Sequence, residues 1–232
     1  MNKSTIDKYG IILPKGTFTK FKQEYNSNPH INLYWSHCQL HLTITSKAVT
    51  IPNILNYITI EDIKKHSELI FNSTGYYIPF EILISSQLFW LDMKTDVKNT
   101  TGYSNKEVIS VLREKAYKNT TKNETPSFDK NKGFENSLLV TSTSKTVKDS
   151  LCIYEKILEI NSTRFRYPDY YKNFSEEFLN NNTNILRFER RLQSCKDIKN
   201  AFNLKHLKTV TLEDIFNSDV DVVSNRVQKL FI

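Results

Sequence analysis

The sequence contains no long apolar run and few cysteines. No stretch of its 232 residues reaches the roughly 18 apolar residues that a membrane-spanning helix needs. The first twenty residues carry four lysines and lack the apolar region of a secretory signal. Three widely spaced cysteines, Cys38, Cys152 and Cys195, fit neither a disulfide framework nor a zinc pattern. We therefore expect free thiols, a reducing cytoplasm and no membrane partner.

The composition is that of a folded, mildly basic chain. Hydrophobic residues make up 39% and aromatic residues 12%, which allows a packed core and excludes global disorder. The formal charge is +7, and between Arg187 and Lys208 seven Lys and Arg stand against two acidic residues. This concentration favours a polyanionic partner, nucleic acid first. A solvated basic helix face explains the charge about equally well.

Apolar periodicity predicts interleaved strands and helices. Residues 40–45 alternate as a strand, whereas Thr59 and Ser104 begin capping boxes that predict helices. Because the helices are few and the strands are partly polar, we expect an α+β fold: an antiparallel sheet with helices packed on one face and an open polar face. The loop-like stretch 119–136 separates two related α/β halves of one domain. These halves are residues 1–125 and 126–232.

One predicted strand, residues 89–97, carries two acidic side chains. Strict alternation puts four residues on the buried face, namely Phe89, Leu91, Met93 and Val97. The open face then takes Trp90, Asp92, Lys94 and Asp96. Carboxylates two residues apart can help to hold a divalent cation, because hard cations prefer oxygen ligands. The alternative is an ordinary solvent-facing strand.

A second predicted strand, residues 185–193, has the same alternation. Arg187, Glu189 and Arg191 point to one side, and the apolar Leu186 and Phe188 point to the other. Two guanidinium groups around a carboxylate form either a self-neutralising surface cluster or a metal ligand between two phosphate clamps.

The segment 151–159 is compatible with a strand or a helix. As a strand it places Tyr154 and Lys156 on one face, where the cation stabilises a phenolate that acts as a nucleophile. As a helix it places Tyr154 over Leu158 and turns Lys156 away. Periodicity leaves both structures open, and a half-buried tyrosine beside a solvated lysine is the plainer interpretation.

These three segments together resemble the gene II type replication initiators of filamentous phages and related phage and plasmid initiators. The clearest match is residues 184–194, with the Arg-Phe-Glu strand, and residues 151–159 and 88–97 match in the family's order. The resemblance covers roughly residues 40–216. It departs at Trp90, where the family usually has an arginine, and the chain is shorter than typical members.

The resemblance implies an endonuclease-like core related to the enzymes named for a His-hydrophobe-His motif. That motif is absent as such, and the segment most similar to it is His37-Cys38-Gln39-Leu40-His41. The implied metal, Mg²⁺ or Mn²⁺, would be held by Asp92, Glu189 and His41. The implied catalytic residues are Tyr154 as nucleophile and Lys156 as its cation. The implied DNA-binding residues are Arg187, Arg190, Arg191 and Lys196.

The implied activity is that of a rolling-circle initiator, a metal-dependent nickase and strand transferase in the cytoplasm of a bacterial host cell. Its partners would be origin DNA, single-stranded or supercoiled, with a host helicase and polymerase. Two alternatives remain: a non-catalytic single-stranded DNA- or RNA-binding protein, and a metal-dependent nuclease that uses water. The enzyme hypothesis requires Asp92 and Glu189 to converge within a few ångströms, with the Tyr154 hydroxyl nearby, and it fails if the two carboxylates lie on opposite sides of the sheet.

Overall fold

One antiparallel sheet organises the molecule. The computed structural model describes residues 4–18, 28, 30–48, 58–128, 136–163 and 174–232, and over these residues the chain forms eight strands. The strands are β1 (Thr5–Ile12), β2 (Ile31–Ser36), β3 (Gln39–Thr45), β4 (Gln87–Lys98), β5 (Glu124–Ser127), β6 (Ser137–Ser142), β7 (Asp149–Glu155) and β8 (Ile185–Leu192). Their order is β2-β3-β1-β4-β8-β7-β6-β5, and every neighbouring pair is antiparallel.

Helices connect and cover these strands. The α-helices of the described residues are α1 (Ile60–Thr74), α2 (Phe80–Ser85), α3 (Asn105–Asn119), α4 (Lys156–Thr163), α5 (Glu176–Asn181), α6 (Cys195–Ala201), α7 (Leu212–Phe216) and α8 (Val222–Phe231). Thr59 and Ser104 form capping boxes at α1 and α3, so both predicted helix starts are confirmed. None of the described helices is long and apolar enough to cross a membrane.

The main hydrophobic core lies between one face of the sheet and six of the helices. Strand residues such as Leu91, Phe188 and Leu192 pack there with apolar residues of α1, α2, α3, α6, α7 and α8. A smaller cluster lies on the opposite face, where Ile185 packs with residues of α4 and α5. The fold is therefore α+β, as predicted, and the polar strand faces lie on the side away from the main core.

Two local features refine the predictions from sequence. Strand β7 ends at Glu155 and α4 begins at Lys156, so segment 151–159 is a strand followed by a helix. Strand β5 lies inside the stretch predicted as a loop, and it pairs with β6. The division of the domain at residue 125 stays a prediction.

A β-bulge in β4 overturns the predicted orientation of Phe89. Gly10 of β1 pairs with Trp90 and Ile11 pairs with Leu88, so Phe89 has no partner in the ladder. A bulge breaks the alternation of side chains, and here the Phe89 ring contacts that of His41 on the polar side of the sheet. The prediction that Phe89 shares the buried face with Leu91 is therefore wrong.

Candidate functional site

The polar faces of β4 and β8 lie side by side at the centre of the sheet. Three cross-strand pairs, Asp92 with Arg191, Lys94 with Glu189 and Asp96 with Arg187, point to the same side. Asp92 and Glu189 are therefore diagonal neighbours, with backbones roughly 7–8 Å apart. The two carboxylates therefore point to the same side of the sheet, as the enzyme hypothesis requires, and their convergence within a few ångströms stays a prediction.

Glu189 connects the other side chains of this cluster. It is buried, and its two carboxylate oxygens accept hydrogen bonds from different strands. The Tyr154 hydroxyl on β7 donates to Oε2 at 2.8 Å, and Arg191 Nε donates to Oε1 at 2.7 Å. The tyrosine hydroxyl that the sequence analysis singled out thus lies directly on a predicted metal ligand.

Asp92 occupies the next position along the face. The Trp90 indole Nε1 donates to its Oδ1 at 2.7 Å, and Lys8 Nζ lies 3.9 Å above the centre of the Trp90 ring. Burial and, second to it, the neighbouring charge of Glu189 together raise the pKa of Asp92 to about 7. A cation bound between the two carboxylates would relieve this repulsion.

The opposite end of the cluster is a network of ion pairs. Arg187 donates Nε and Nη2 to the two oxygens of Asp96 at 2.6 Å and 2.7 Å, and it is 2% exposed. Lys94 Nζ lies 2.8 Å from Asp7 Oδ1, and Arg187 Nη1 lies 3.6 Å from the same oxygen. Arg187 was predicted to bind DNA, but its guanidinium already binds the carboxylates of Asp96 and Asp7.

Asp7 was missed as a member of this cluster. It lies on β1, where the β1–β4 register shifts between Ile6 and Lys8. The sequence offers only the nearby apolar run Ile11-Ile12-Leu13, which predicts a short strand but not which strand pairs beside it.

Lys156 lies at the edge of the cluster and is bound to another group. It begins α4 and is 4% exposed, and its Nζ contacts Glu159 Oε2 at 2.6 Å. The predicted role, a strand neighbour that stabilises the Tyr154 phenolate, needs correction because Lys156 leaves the strand and pairs with Glu159.

Tyr154 itself is buried and protonated. Its side chain is 1% exposed, and burial raises its pKa well above the ordinary range, with Glu189 acting in the same direction. Attack by this phenol therefore requires that its proton leave as the new bond forms, and Glu189 is the group that already accepts that proton in a hydrogen bond.

His41 lies apart from the two carboxylates. Thr45 of β3 and Asp92 of β4 both pair with Lys8 of β1, so these three residues lie at the same level of the sheet. His41 is four residues from Thr45, which places it about 13 Å along the strand direction from the level of Asp92. Its ring stacks on Tyr34 and meets Phe89 edge-on. Within the described ranges no three His, Cys, Asp or Glu residues are grouped to hold a metal. The prediction of His41 as a ligand beside Asp92 is corrected on this geometry.

Two further predicted DNA contacts lie on the other side of the sheet. Arg190 donates to both oxygens of Asp149, at 3.0 Å and 2.6 Å, and to the Val222 carbonyl at 2.8 Å. Lys196 is exposed on α6, whose Ile198 packs in the main core. Arg190 is thus corrected to a structural residue, and Lys196 does not join the polar cluster.

The donor set at the centre fits Mg²⁺ or Mn²⁺. Mg²⁺ is commonly bound through one or two carboxylates, with water and substrate phosphate completing the coordination. Asp92 and Glu189 supply two carboxylates on one face of the sheet. These two residues would hold the ion.

Comparison with solved structures finds likenesses to this chain. No family model matches the chain, and no curated protein does. A solved structure titled "Rolling Circle Replication Initiator Protein from Geobacillus stearothermophilus" is similar to it, with 10% identity and a TM-score of 0.41, over 99% of this chain and 96% of that one. A likeness at this level carries no argument about function, which has to come from the site.

Proposed function

We propose that this chain is a rolling-circle replication initiator that nicks one DNA strand by attack of Tyr154. The observation that carries the proposal is the hydrogen bond from the Tyr154 hydroxyl to Glu189, with Asp92 beside it on the same sheet face. The order of these residues along the chain is also that of the initiator family resembled by the sequence. Nucleophile, proton acceptor and second carboxylate come from three neighbouring strands.

The reaction follows from these contacts. The Tyr154 oxygen forms a bond to phosphorus while its proton passes to Glu189 Oε2, and the bond between phosphorus and the 3′ oxygen breaks. The 3′ oxygen takes up a proton and leaves as a 3′-OH, and the DNA stays attached as a 5′-phosphotyrosine. Attack by a later 3′-OH reverses these steps and rejoins the strand without ATP.

The negative charge of the phosphate would be compensated by a metal ion and by Arg191 on the polar face. Asp92 and Glu189 would hold Mg²⁺ or Mn²⁺, which when bound polarises a non-bridging phosphate oxygen. Arg191 lies beside Glu189 with its side chain 21% exposed, so it is the arginine of β8 that a phosphate can reach. Origin DNA is the substrate in this proposal, and the 3′-OH would serve a host polymerase, with a host helicase opening the duplex.

A second candidate is a metal-dependent nuclease in which water attacks. The 1% exposure of Tyr154 and its strongly raised pKa favour this function, because both make the phenol a poor nucleophile. In that case the tyrosine holds Glu189 in place, and the product carries an ordinary 5′-phosphate.

The experiment that separates these functions traps the covalent intermediate. The protein is incubated with 3′-end-labelled single-stranded DNA from the origin of its own replicon and Mn²⁺, and the products are resolved under denaturing conditions. We expect a protein–DNA adduct that Tyr154→Phe abolishes while DNA binding persists. Tyr9→Phe is the matched control, since Tyr9 is equally buried and its hydroxyl bonds His66 at 2.7 Å within the main core.

Each other outcome assigns a different function. Cleavage without an adduct, unaffected by Tyr154→Phe, would support the water-dependent nuclease. Binding without cleavage in either Mg²⁺ or Mn²⁺ would support the non-catalytic DNA-binding protein and contradict both enzymes.

A further inference from the structure

Three aromatic rings form a continuous group on the polar side of strands β2, β3 and β4. Tyr34 stacks on His41 with ring centres 5.4 Å apart and planes inclined by 22°. Phe89 meets His41 edge-on, with ring centres 4.9 Å apart and an angle of 75°. We refer to Tyr34, His41 and Phe89 as the aromatic platform.

The backbone is adapted to bring Phe89 onto this side. The bulge in β4 releases Phe89 from the alternation that would bury it, and bulges often re-aim side chains beside functional sites. Gly10 of β1 then leaves room for the ring, because a Cβ at Gly10 would lie 2.8 Å from the end of the Phe89 ring and 3.1 Å from Thr43. The bulge interrupts the regular pairing of β1 with β4, and Gly10 leaves space above β1. Together they allow the Phe89 ring to lie on the polar side of the sheet.

The platform is continuous with the carboxylate cluster. Phe89 is followed by Trp90, which donates to Asp92 at 2.7 Å and carries Lys8 Nζ 3.9 Å above its ring. Phe89 is three residues from Asp92, roughly 10 Å along an extended strand. A few nucleotides of single-stranded DNA span that distance.

The chemistry of the surface favours one occupant. Its rings are half-buried at Tyr34 and Phe89, so part of each ring reaches solvent, and a lysine lies at its inner border. Unpaired bases stack on such rings whatever their sequence, while their phosphates pair with nearby cations. Bases inside a duplex are already stacked and are not available to the rings.

We propose that the aromatic platform binds unpaired bases of a DNA strand beside the scissile phosphate. This inference rests on the proposed function, because it takes the Asp92–Glu189 pair as the place where the phosphate binds. His41, which is itself buried, packs between Tyr34 and Phe89, and these two half-buried rings supply the base-stacking surface. Lys8 neutralises a phosphate between the platform and the carboxylates.

The test measures binding without chemistry. The affinity for a fluorescent single-stranded oligonucleotide is measured by anisotropy in EDTA for the wild type, Phe89→Leu and Tyr34→Leu. We expect each variant to bind about tenfold more weakly, which corresponds to the loss of one stacked base. Gly10→Ala should weaken binding as well, although it removes no ring, because its methyl group displaces Phe89.

The control is Tyr117→Leu, which removes a tyrosine that is 59% exposed on α3, away from the platform. It should leave the affinity unchanged. A second arm replaces single bases by abasic sites. If Phe89 stacks on a base, one abasic position weakens wild-type binding but has little further effect on Phe89→Leu, since both changes remove the same contact.

The outcomes for the platform and for the proposed function are separate. Unchanged affinity in both Phe89→Leu and Tyr34→Leu, each shown to be folded by thermal melting, overturns the platform. It is also overturned if, at every position, the loss of affinity caused by the abasic site adds in full to the loss caused by Phe89→Leu. Should Phe89→Leu fail to fold, Tyr34→Leu and the abasic series decide. Adduct formation with Mn²⁺ in the wild type tests the proposed function independently, so either idea can fail while the other stands.

Discussion

At the scale of single residues, one buried carboxylate joins the functional groups. Glu189 accepts hydrogen bonds from Tyr154 and Arg191 and repels Asp92 across the strand pair. A charge in such a place is stable only when its partners are in place, since an unpaired buried carboxylate loses its hydration. The same arrangement holds the phenol proton at the atom that would receive it during attack.

The raised pKa of Asp92 predicts a pH-dependent stability. Folding raises this pKa from 3.8 to about 7, so the folded state holds the proton more tightly than the unfolded state does. The free energy of unfolding should therefore fall as pH rises from about 4 to 7. Asp92→Asn removes this effect, and at pH 8 the variant should be the more stable protein, by no more than about 4 kcal/mol.

Urea unfolding of wild type and Asp92→Asn at pH 4, 6 and 8 provides the measurement. Glu107→Gln is the control, because hydrogen bonds from Ser104 lower the pKa of Glu107 from 4.5, so its contribution to stability is complete above about pH 4.5 and the effect of this variant should be the same at pH 6 and pH 8. A difference between wild type and Asp92→Asn that stays constant across pH would contradict the prediction.

At the scale of elements, β8 has two faces with separate functions. Its odd-numbered residues from Arg187 to Arg191 lie in the polar cluster, whereas Arg190 bonds Asp149 of β7 and the Val222 carbonyl at the start of α8. One side of the strand carries the polar cluster, and the other attaches a helix to the sheet.

Arg190→Ala should therefore destabilise the protein without affecting DNA binding. Asp149 would lose its partner and α8 one attachment, and we expect a loss of about 2 kcal/mol, reduced from the fully buried case by partial exposure. Chemical unfolding and anisotropy on the same preparation measure the two properties. A weakened DNA affinity with unchanged stability would restore Arg190 as a DNA contact.

At the scale of the whole molecule, two arginines of the basic stretch pair with acidic residues inside the fold. Arg187 pairs with Asp96, and Arg190 pairs with Asp149. The charge that sequence analysis placed between residues 187 and 208 is therefore only partly available to a polyanion. Affinity should depend on the few cations at the polar face, Arg191 and Lys8 among them.

The salt dependence of DNA binding tests this distribution. Each phosphate contact to single-stranded DNA contributes about 0.7 to the slope of log affinity against log salt concentration. Arg191→Ala and Lys8→Gln should each lower the slope by about that amount, and Arg190→Ala should leave it unchanged. Equal slopes for all three variants would show that the binding surface lies elsewhere.

Local patterns in the sequence determined much of this protein. The capping boxes at Thr59 and Ser104 depend on residues three positions apart, and the common side of Arg187, Glu189 and Arg191 follows from the two-residue period of a strand. Such features need no knowledge of distant neighbours, which is why they could be predicted. Segment 151–159 was ambiguous because its apolar residues suit either period.

Only the tertiary structure decided which strands meet. The placement of Asp7 beside Lys94, the bond from Tyr154 to Glu189 and the attachment of Arg190 to Asp149 each join residues far apart in the chain. The bulge at Phe89 belongs to the pairing of β1 with β4 rather than to either strand alone. Strand order and register arise from burial of the whole core, and no local period encodes them.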